Sequence, residues 1–259
     1  MNKGFWEEQA RKHGQGVAAV NFDPIQEEFA TALLEELVPD GLAVADVGCG
    51  NGRTLIDLIA SRPTGRFVGY DFAATMINVA EERQKELRLE NVRFHTFDAT
   101  SATLPEASRN AFDLVLGKRL LINIKGLAKQ QALQNIYDML RDGGTYLMIE
   151  CFIDPLERTN DARQVLGLDR IAVKEFNEYL TSDFLKEVER YFVIERVIDV
   201  ASLYYFASRV FNAALVEGKP DYFAPINQLA AKLVQAGVRP ISGYAPEVTH
   251  VLKKRTRPL

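Results

Sequence analysis

The segment Val44-Ala45-Asp46-Val47-Gly48-Cys49-Gly50-Asn51-Gly52 constrains the fold of this chain more than any other. An apolar run, Leu42 to Gly48, reads as a strand covered on both faces, and it empties directly into glycines at alternate positions. Glycine lets the backbone turn tightly there and lets a ligand approach main-chain atoms that any side chain would block. A helical stretch, Arg53 to Ser61, follows, so the unit is strand, glycine loop and helix. The spacing separates ligand classes. A dinucleotide fingerprint needs its third glycine where Arg53 stands, and Asp46, two places before the first glycine, would repel a diphosphate but suit a cationic ligand. No Gly-Lys-Ser/Thr follows, which excludes a P-loop.

The same alternation repeats downstream. Strands are predicted at Arg66–Tyr70 (ending at Asp71), Val92–Phe97 (ending at Asp98), Phe112–Leu116 and Thr145–Phe152. Helices are predicted at Thr75–Leu87 and Ala128–Leu140, with an earlier one at Ile25–Leu37. Strands alternating with helices of this length mean βαβ units and a parallel sheet. Past Asp154-Pro155 the pattern predicts helices near Val173–Leu180 and Ser182–Tyr191. A strand Phe192–Val200 follows, and its pattern extends through Leu203–Phe206. Two further helices, about Ala207–Glu217 and Pro225–Ala236, precede a last strand at about Tyr244–Leu252.

Composition removes several classes of function. With 259 residues, 47% of them hydrophobic and 25% charged, the chain can bury a sizeable core. Its 31 Lys+Arg are scattered against 35 Asp+Glu, which argues against a dedicated nucleic-acid protein. Cys49 and Cys151 are the only cysteines and lie in different predicted elements, so no disulfide framework is expected and a reducing cytoplasm fits. The polar start MNKGFWEEQARKHG lacks the apolar core of a signal peptide, and no segment approaches the roughly 18 continuous apolar residues of a membrane span. The expected location is therefore cytoplasmic. His13, His95 and His250 are spread along the chain, so no metal site is expected.

Three acids end three consecutive strand units. Asp71 falls about 20 residues after the glycine loop, where a carboxylate can bind both hydroxyls of a ribose. Asp98, followed by Ala99, can accept a hydrogen bond from an exocyclic amino group. With Asp46, they describe a ligand made of adenine, ribose and a positively charged tail. At this point the chain from about Leu42 to Phe152 resembles the class I S-adenosylmethionine-dependent methyltransferases. The resemblance implies a Rossmann-like α/β fold, a seven-stranded mostly parallel sheet with an antiparallel last strand. Its implied decorations are a helical N-terminal segment (1–40) and a helical lid insertion (207–243). Between and after them lie a cofactor-binding core (41–154), helices with the sixth strand (155–206), and the last strand with a tail (244–259). It also implies that Asp46, Gly48, Cys49, Gly50 and Asn51 hold the methionine part, Asp71 the ribose, Phe72 and Met76 the adenine face, and Asp98-Ala99 its edge. Phe112-Asp113-Leu114-Val115-Leu116-Gly117 looks like the family's fourth motif. Arg141-Asp142-Gly143-Gly144-Thr145 resembles the turn before its fifth strand, with Asp142 in place of the usual proline. Plainer readings stand beside these: Asp71 as a helix cap, Asp98 as a turn residue, Met76 as core and Cys49 as a small filler between glycines.

The acceptor side is read from segments that follow the strands. Lys118-Arg119 place two charges at the mouth, with Lys118 counted among the cofactor residues and Arg119 a candidate for an anionic substrate group. Asn123 falls where the family often carries a His or Asn near the substrate. Glu150, Asp154, Arg158, Asn160 and Arg163 accompany the fifth strand, and Tyr204, Tyr205 and Arg209 follow the sixth. Phe211, Tyr222 and Phe223 could wall the substrate. His13, on a polar segment, is a candidate general base. The expected activity is methyl transfer to an oxygen or nitrogen of a polar small molecule such as a sugar, a saccharide precursor or a secondary metabolite. The alternatives are a non-catalytic S-adenosylmethionine-binding partner protein and a nicotinamide-dependent oxidoreductase.

Overall fold

The computed structural model describes residues 23–216 and 221–259, together with Gly4 and Glu8. Seven strands build one sheet: β1 (Ala43–Val47), β2 (Arg66–Asp71), β3 (Val92–Thr96), β4 (Phe112–Lys118), β5 (Leu140–Cys151), β6 (Phe192–Ile198) and β7 (Glu247–Lys254). Their order is β3-β2-β1-β4-β5-β7-β6. Neighbours from β3 to β5 run parallel, and β7 is antiparallel to both β5 and β6. The expected seven-stranded, mostly parallel sheet with a reversed last strand is the architecture found.

Two apolar layers cover the sheet. Alternate residues of β1 serve each: Ala43, Ala45 and Val47 pack toward α4 (Ala128–Met139), while Val44 packs with α1 (Pro24–Leu37), α2 (Arg53–Ser61) and α3 (Ala74–Glu86). This is why β1 reads as a continuous apolar run. Helix α1 starts where it does because Pro24 pre-sets the first turn and the Asp23 carboxylate accepts from Ile25 N (3.1 Å) and Gln26 N (3.2 Å). A third apolar cluster joins α1 through Ile25 and Phe29 to Tyr204, Tyr205, Ala230 and Val234.

The second half of the chain departs from the sequence reading in three places. The continuation of the sixth strand through Leu203–Phe206 is instead α7 (Ser202–Phe206), which follows α5 (Ile153–Val165) and α6 (Leu185–Glu189). The Asp199 carboxylate accepts from Ser202 N (3.1 Å) and from the Ser202 hydroxyl, and this starts a helix where β-prone aromatics suggested a strand. The π-helical turn Ala207–Phe211 then leads into α8 (Asn212–Leu215), and α9 (Pro225–Gln235) follows. Residues 173–180 form no helix; they run as a loop that ends with Leu180 bridging Phe152. Helix α5 arises at Asp154-Pro155 because Pro155 sits in the first turn, where its missing N–H has no intrahelical partner to lose. Among the described residues, no helix is long and apolar enough to cross a membrane.

His250, inside β7, is 3% exposed, its Nδ1 has no hydrogen-bond partner, and its ring lies 5.1 Å from that of Phe152. Burial holds its pKa down to about 4. The folded state therefore keeps His250 neutral while the unfolded imidazole gains a proton below about 6.5. Stability is expected to be fully present above that pH and to fall by up to about 3 kcal/mol as the pH drops to about 4. Urea midpoints across pH 4–7 should show this slope in the native protein and a shallower one in His250→Phe.

Candidate active site

A cavity of about 400 Å³ opens beyond the carboxyl ends of β1, β2, β4 and β5, against the start of β7. Its first half is built on the glycine loop. Gly48 N (2.7 Å) and Cys49 N (3.0 Å) both donate to Tyr70 O, which pins the loop to the end of β2. Gly48, Gly50 and Gly52 have φ of 82°, 54° and 73°, the left-handed region that favours glycine. Asp71 joins loop and helix: its Oδ2 accepts from Gly50 N and its Oδ1 from Ala73 N, each at 2.9 Å. Burial pushes its carboxyl pKa up, against the pull of those two N–H groups.

Asp46 is 2% exposed, and its Oδ1 is buried without a hydrogen-bond partner. Burial raises its pKa to about 7, with Lys118 pulling it down and Asp71 pushing it up. A buried acid held this way, at a loop whose backbone is open to a ligand, suits a cationic group. Cys49, Asn51, Phe72 and Met76 line the same half. Burial drives the Cys49 thiol pKa well above its usual range, so Cys49 is no nucleophile. Asp98 and Ala99 do not line the cavity: Asp98 is exposed and its Oδ1 accepts from Thr100 N (2.8 Å) and Thr100 Oγ1 (2.6 Å). His13 lies outside the described residues.

The second half is polar and aromatic. Arg119, with φ 54°, is held between Glu27 (3.1 Å) and Glu247 (3.8 Å). Burial works to lower its pKa, but these two carboxylates hold the guanidinium charged. Lys118, the last residue of β4, also pairs with Glu27, so one acid of α1 holds both cations at the end of that strand. An anionic acceptor group would have to compete with those acids. Glu150, fully buried behind the wall, accepts from Leu121 N (2.6 Å) and Ile122 N (3.3 Å), and burial raises its pKa to about 8. This anchors the turn that carries Asn123, whose side chain donates to Arg119 O (2.6 Å) and accepts from Asn177 (3.0 Å).

Tyr205, Arg209 and Tyr222 complete the wall. The Arg209 guanidinium lies 5.2 Å from the Tyr205 ring and 5.0 Å from the Tyr222 ring, and it donates to Asp23 at 2.7 Å. Tyr204 lies beneath, with its hydroxyl on Asp23 (3.0 Å). Phe211 and Phe223 are about half exposed and do not line the cavity. Asp154, Arg158, Asn160 and Arg163 do not line it either; Asn160 holds the backbone of Ile171, and Arg163 reaches Arg209 O.

Sequence reasoning missed Asp23, Glu27 and Glu247, and it missed the loop residues Lys174, Phe176, Asn177 and Tyr179. The loop was hidden because residues 173–180 read as a helix. The acids were hidden because their partners are remote in sequence. Among the described residues, no three His, Cys, Asp or Glu side chains converge on a metal position.

A sheet of this order with β7 reversed, and a glycine loop opening into a cavity beyond β1 and β2, define a Rossmann-like methyltransferase fold. A family profile described as "Methyltransferase domain" matches residues 39–192. The chain belongs to the class I S-adenosylmethionine-dependent methyltransferase family. It is 31% identical over 111 residues to a demethylmenaquinone methyltransferase of Lactococcus lactis, covering 42% of each chain. It is also 27% identical over 144 residues to a malonyl-[acyl-carrier protein] O-methyltransferase of Bacillus cereus (54% of this chain, 50% of that one). The chain thus spans about half the length of these curated relatives. Among solved structures, the fold is shared with geranyl diphosphate C-methyltransferase from Streptomyces coelicolor A3(2), at TM-score 0.60 and 14% identity over 88% of this chain and 76% of that one. It is shared equally with the [4+2]-cyclase SpnF, at TM-score 0.59 and 18% identity over 88% of this chain and 80% of that one. The fold alone therefore does not decide the reaction.

Proposed function

We propose that this protein transfers a methyl group from S-adenosylmethionine to an oxygen or nitrogen atom of a polar small molecule. One observation carries the reading: a single cavity joins the glycine loop, Asp46 and Asp71 to a wall of Asn123, Tyr205 and Tyr222. The residues fit the cofactor, because the loop backbone is open to a ligand and the buried Asp46 Oδ1 awaits a donor. Gly48, Cys49, Gly50 and Asn51 would hold its methionine part, Asp71 the ribose, and Phe72 and Met76 the adenine. When bound, it supplies a methyl group on a positively charged sulfur.

The protein's own contribution is placement. Asp46 and Asp71 favour the cationic tail and the ribose hydroxyls. The ion pairs of Glu27 fix Lys118 and Arg119 at the junction of the two halves. The aromatic wall excludes water from the acceptor, and holding two reactants in line removes much of the barrier to displacement.

The test is calorimetric titration with S-adenosylmethionine, S-adenosylhomocysteine and NADH, followed by acceptor screening among sugars, phenols and amines. Micromolar binding of the first two without NADH supports the reading. NADH binding alone would overturn it in favour of an oxidoreductase. Cofactor binding with no acceptor turned over would favour a non-catalytic binder.

A further inference from the structure

Strand β7 runs antiparallel to β5, so its first residue, Glu247, pairs with the last of β5, Cys151, at the site end of the sheet. Glu247 thereby enters the wall of the acceptor half. The neighbouring acids are engaged: Asp23 holds Tyr204 and Arg209, and Glu27 holds Lys118 and Arg119. The Glu247 carboxylate makes one ion pair among the described residues, with Arg119 at 3.8 Å, accepts no hydrogen bond from them, and keeps 17% of the side chain accessible. A carboxylate with a spare oxygen facing a binding cavity is placed to take a proton. The rings of Phe176, Tyr179, Tyr205 and Tyr222 line the same half, which suits a flat guest. Lys118, Arg119 and Arg209 are each already paired with an acid, which favours a guest that arrives uncharged.

We propose that Glu247 is the general base of the transfer and that the acceptor is a neutral hydroxyaromatic compound; this rests on the methyl-transfer reading above. The phenolic oxygen's lone pair forms the new C–O bond to the methyl carbon. The C–S bond breaks and its electron pair stays on sulfur, leaving a thioether. The O–H proton passes to the Glu247 carboxylate, and the resulting acid releases it to solvent through the open side of the cavity.

The surroundings suit that role. Burial raises the Glu247 pKa; Arg119 just after β4 and Lys118 at its end oppose this, while Glu27 on α1 and Asp23 at its cap reinforce it. Cys151 and Glu150 on β5, and Tyr179 on the loop between α5 and α6, also interact with it electrostatically. A base lifted toward neutral pH is better matched to proton transfer than an ordinary carboxylate.

The experiment uses 4-nitrophenol with the protein loaded with S-adenosylhomocysteine, because the coloured phenolate shows where the probe's proton sits. The native protein is expected to bind the neutral phenol and bleach the colour, with affinity falling about tenfold or more as the probe ionises beside the Glu247 anion. Glu247→Gln is expected to lose that preference. With S-adenosylmethionine in place of the product and unsubstituted phenol, which is un-ionised at neutral pH, as acceptor, Glu247→Gln is expected to transfer the methyl group about 10²–10⁴ times more slowly, with partial recovery in Glu247→Asp. Failure of the loaded native protein to bind the probe, an unchanged phenol preference in Glu247→Gln, or an unchanged rate in that variant would each overturn the proposal. S-adenosylhomocysteine affinity, measured separately, is expected to be equal in all three proteins. Its absence in the native protein would instead bring down the methyl-transfer reading.

Discussion

Asp71→Ala is expected to weaken S-adenosylmethionine binding by about 1.5–3 kcal/mol, roughly 10- to 150-fold, because a hydrogen bond to a charged group is lost. The same change should destabilise the fold. Asp71 accepts from Gly50 N and from Ala73 N at 2.9 Å each, and alanine leaves both N–H groups without that partner. An unmet buried donor costs about 1–3 kcal/mol, so thermal unfolding without ligand should drop by several degrees. Asp71→Asn separates the two effects: its amide keeps one acceptor for the loop but loses the negative charge. Calorimetry beside thermal scans reads both. A folded Asp71→Ala that binds the cofactor at native affinity would refute the ribose assignment.

Gly52→Ala is expected to cost about 2–5 kcal/mol of stability, a large share of what a domain has. Two independent penalties meet at this position. The backbone there has φ +73°, a conformation that costs an ordinary residue about 1–2 kcal/mol. An added Cβ would also lie 2.8 Å from the Ala80 Cβ and 2.8 Å from the Phe94 ring, where α3 and β3 close against the loop. Gly126→Ala is the control: φ is +57°, but a Cβ there meets nothing within 4 Å. Only the backbone penalty should then appear, about 1–2 kcal/mol. Urea midpoints of the two variants measure the difference. Equal losses would show that close packing of α3 and β3 against the loop contributes nothing.

The two halves of the site differ in how far they could be read from the sequence. The glycine-loop half was legible because its signals are local: a strand buried on both faces, glycines at alternate positions, and an acid at the next strand's end. Asp98 shows the limit of that logic. It ends a strand unit as expected, yet its carboxylate is turned onto Thr100 and away from the cavity, a plain turn role that strand-end position alone could not distinguish. The opposite half, lined by residues 174–179, Tyr205 and Arg209, was mostly illegible. Leu203–Phe206 carries strand-forming aromatics, but the hydrogen bonds of Asp199 to Ser202 and packing against Phe29 and Ala230 make it helical, and that helix leads into the turn bearing Arg209.

From sequence alone came the seven strands, the helices of the first half, the glycine loop and the placing of Asp46 and Asp71 at one cavity, because backbone preference and apolar periodicity act over a few residues. Only the tertiary structure decided which charges meet. Glu27 holds Lys118 and Arg119, Asp23 holds Arg209, and Glu247 comes to rest beside Cys151 because β7 reverses direction against β5. Charge pairing depends on distance in space, and the folded sheet brings together acids and bases that no local pattern connects.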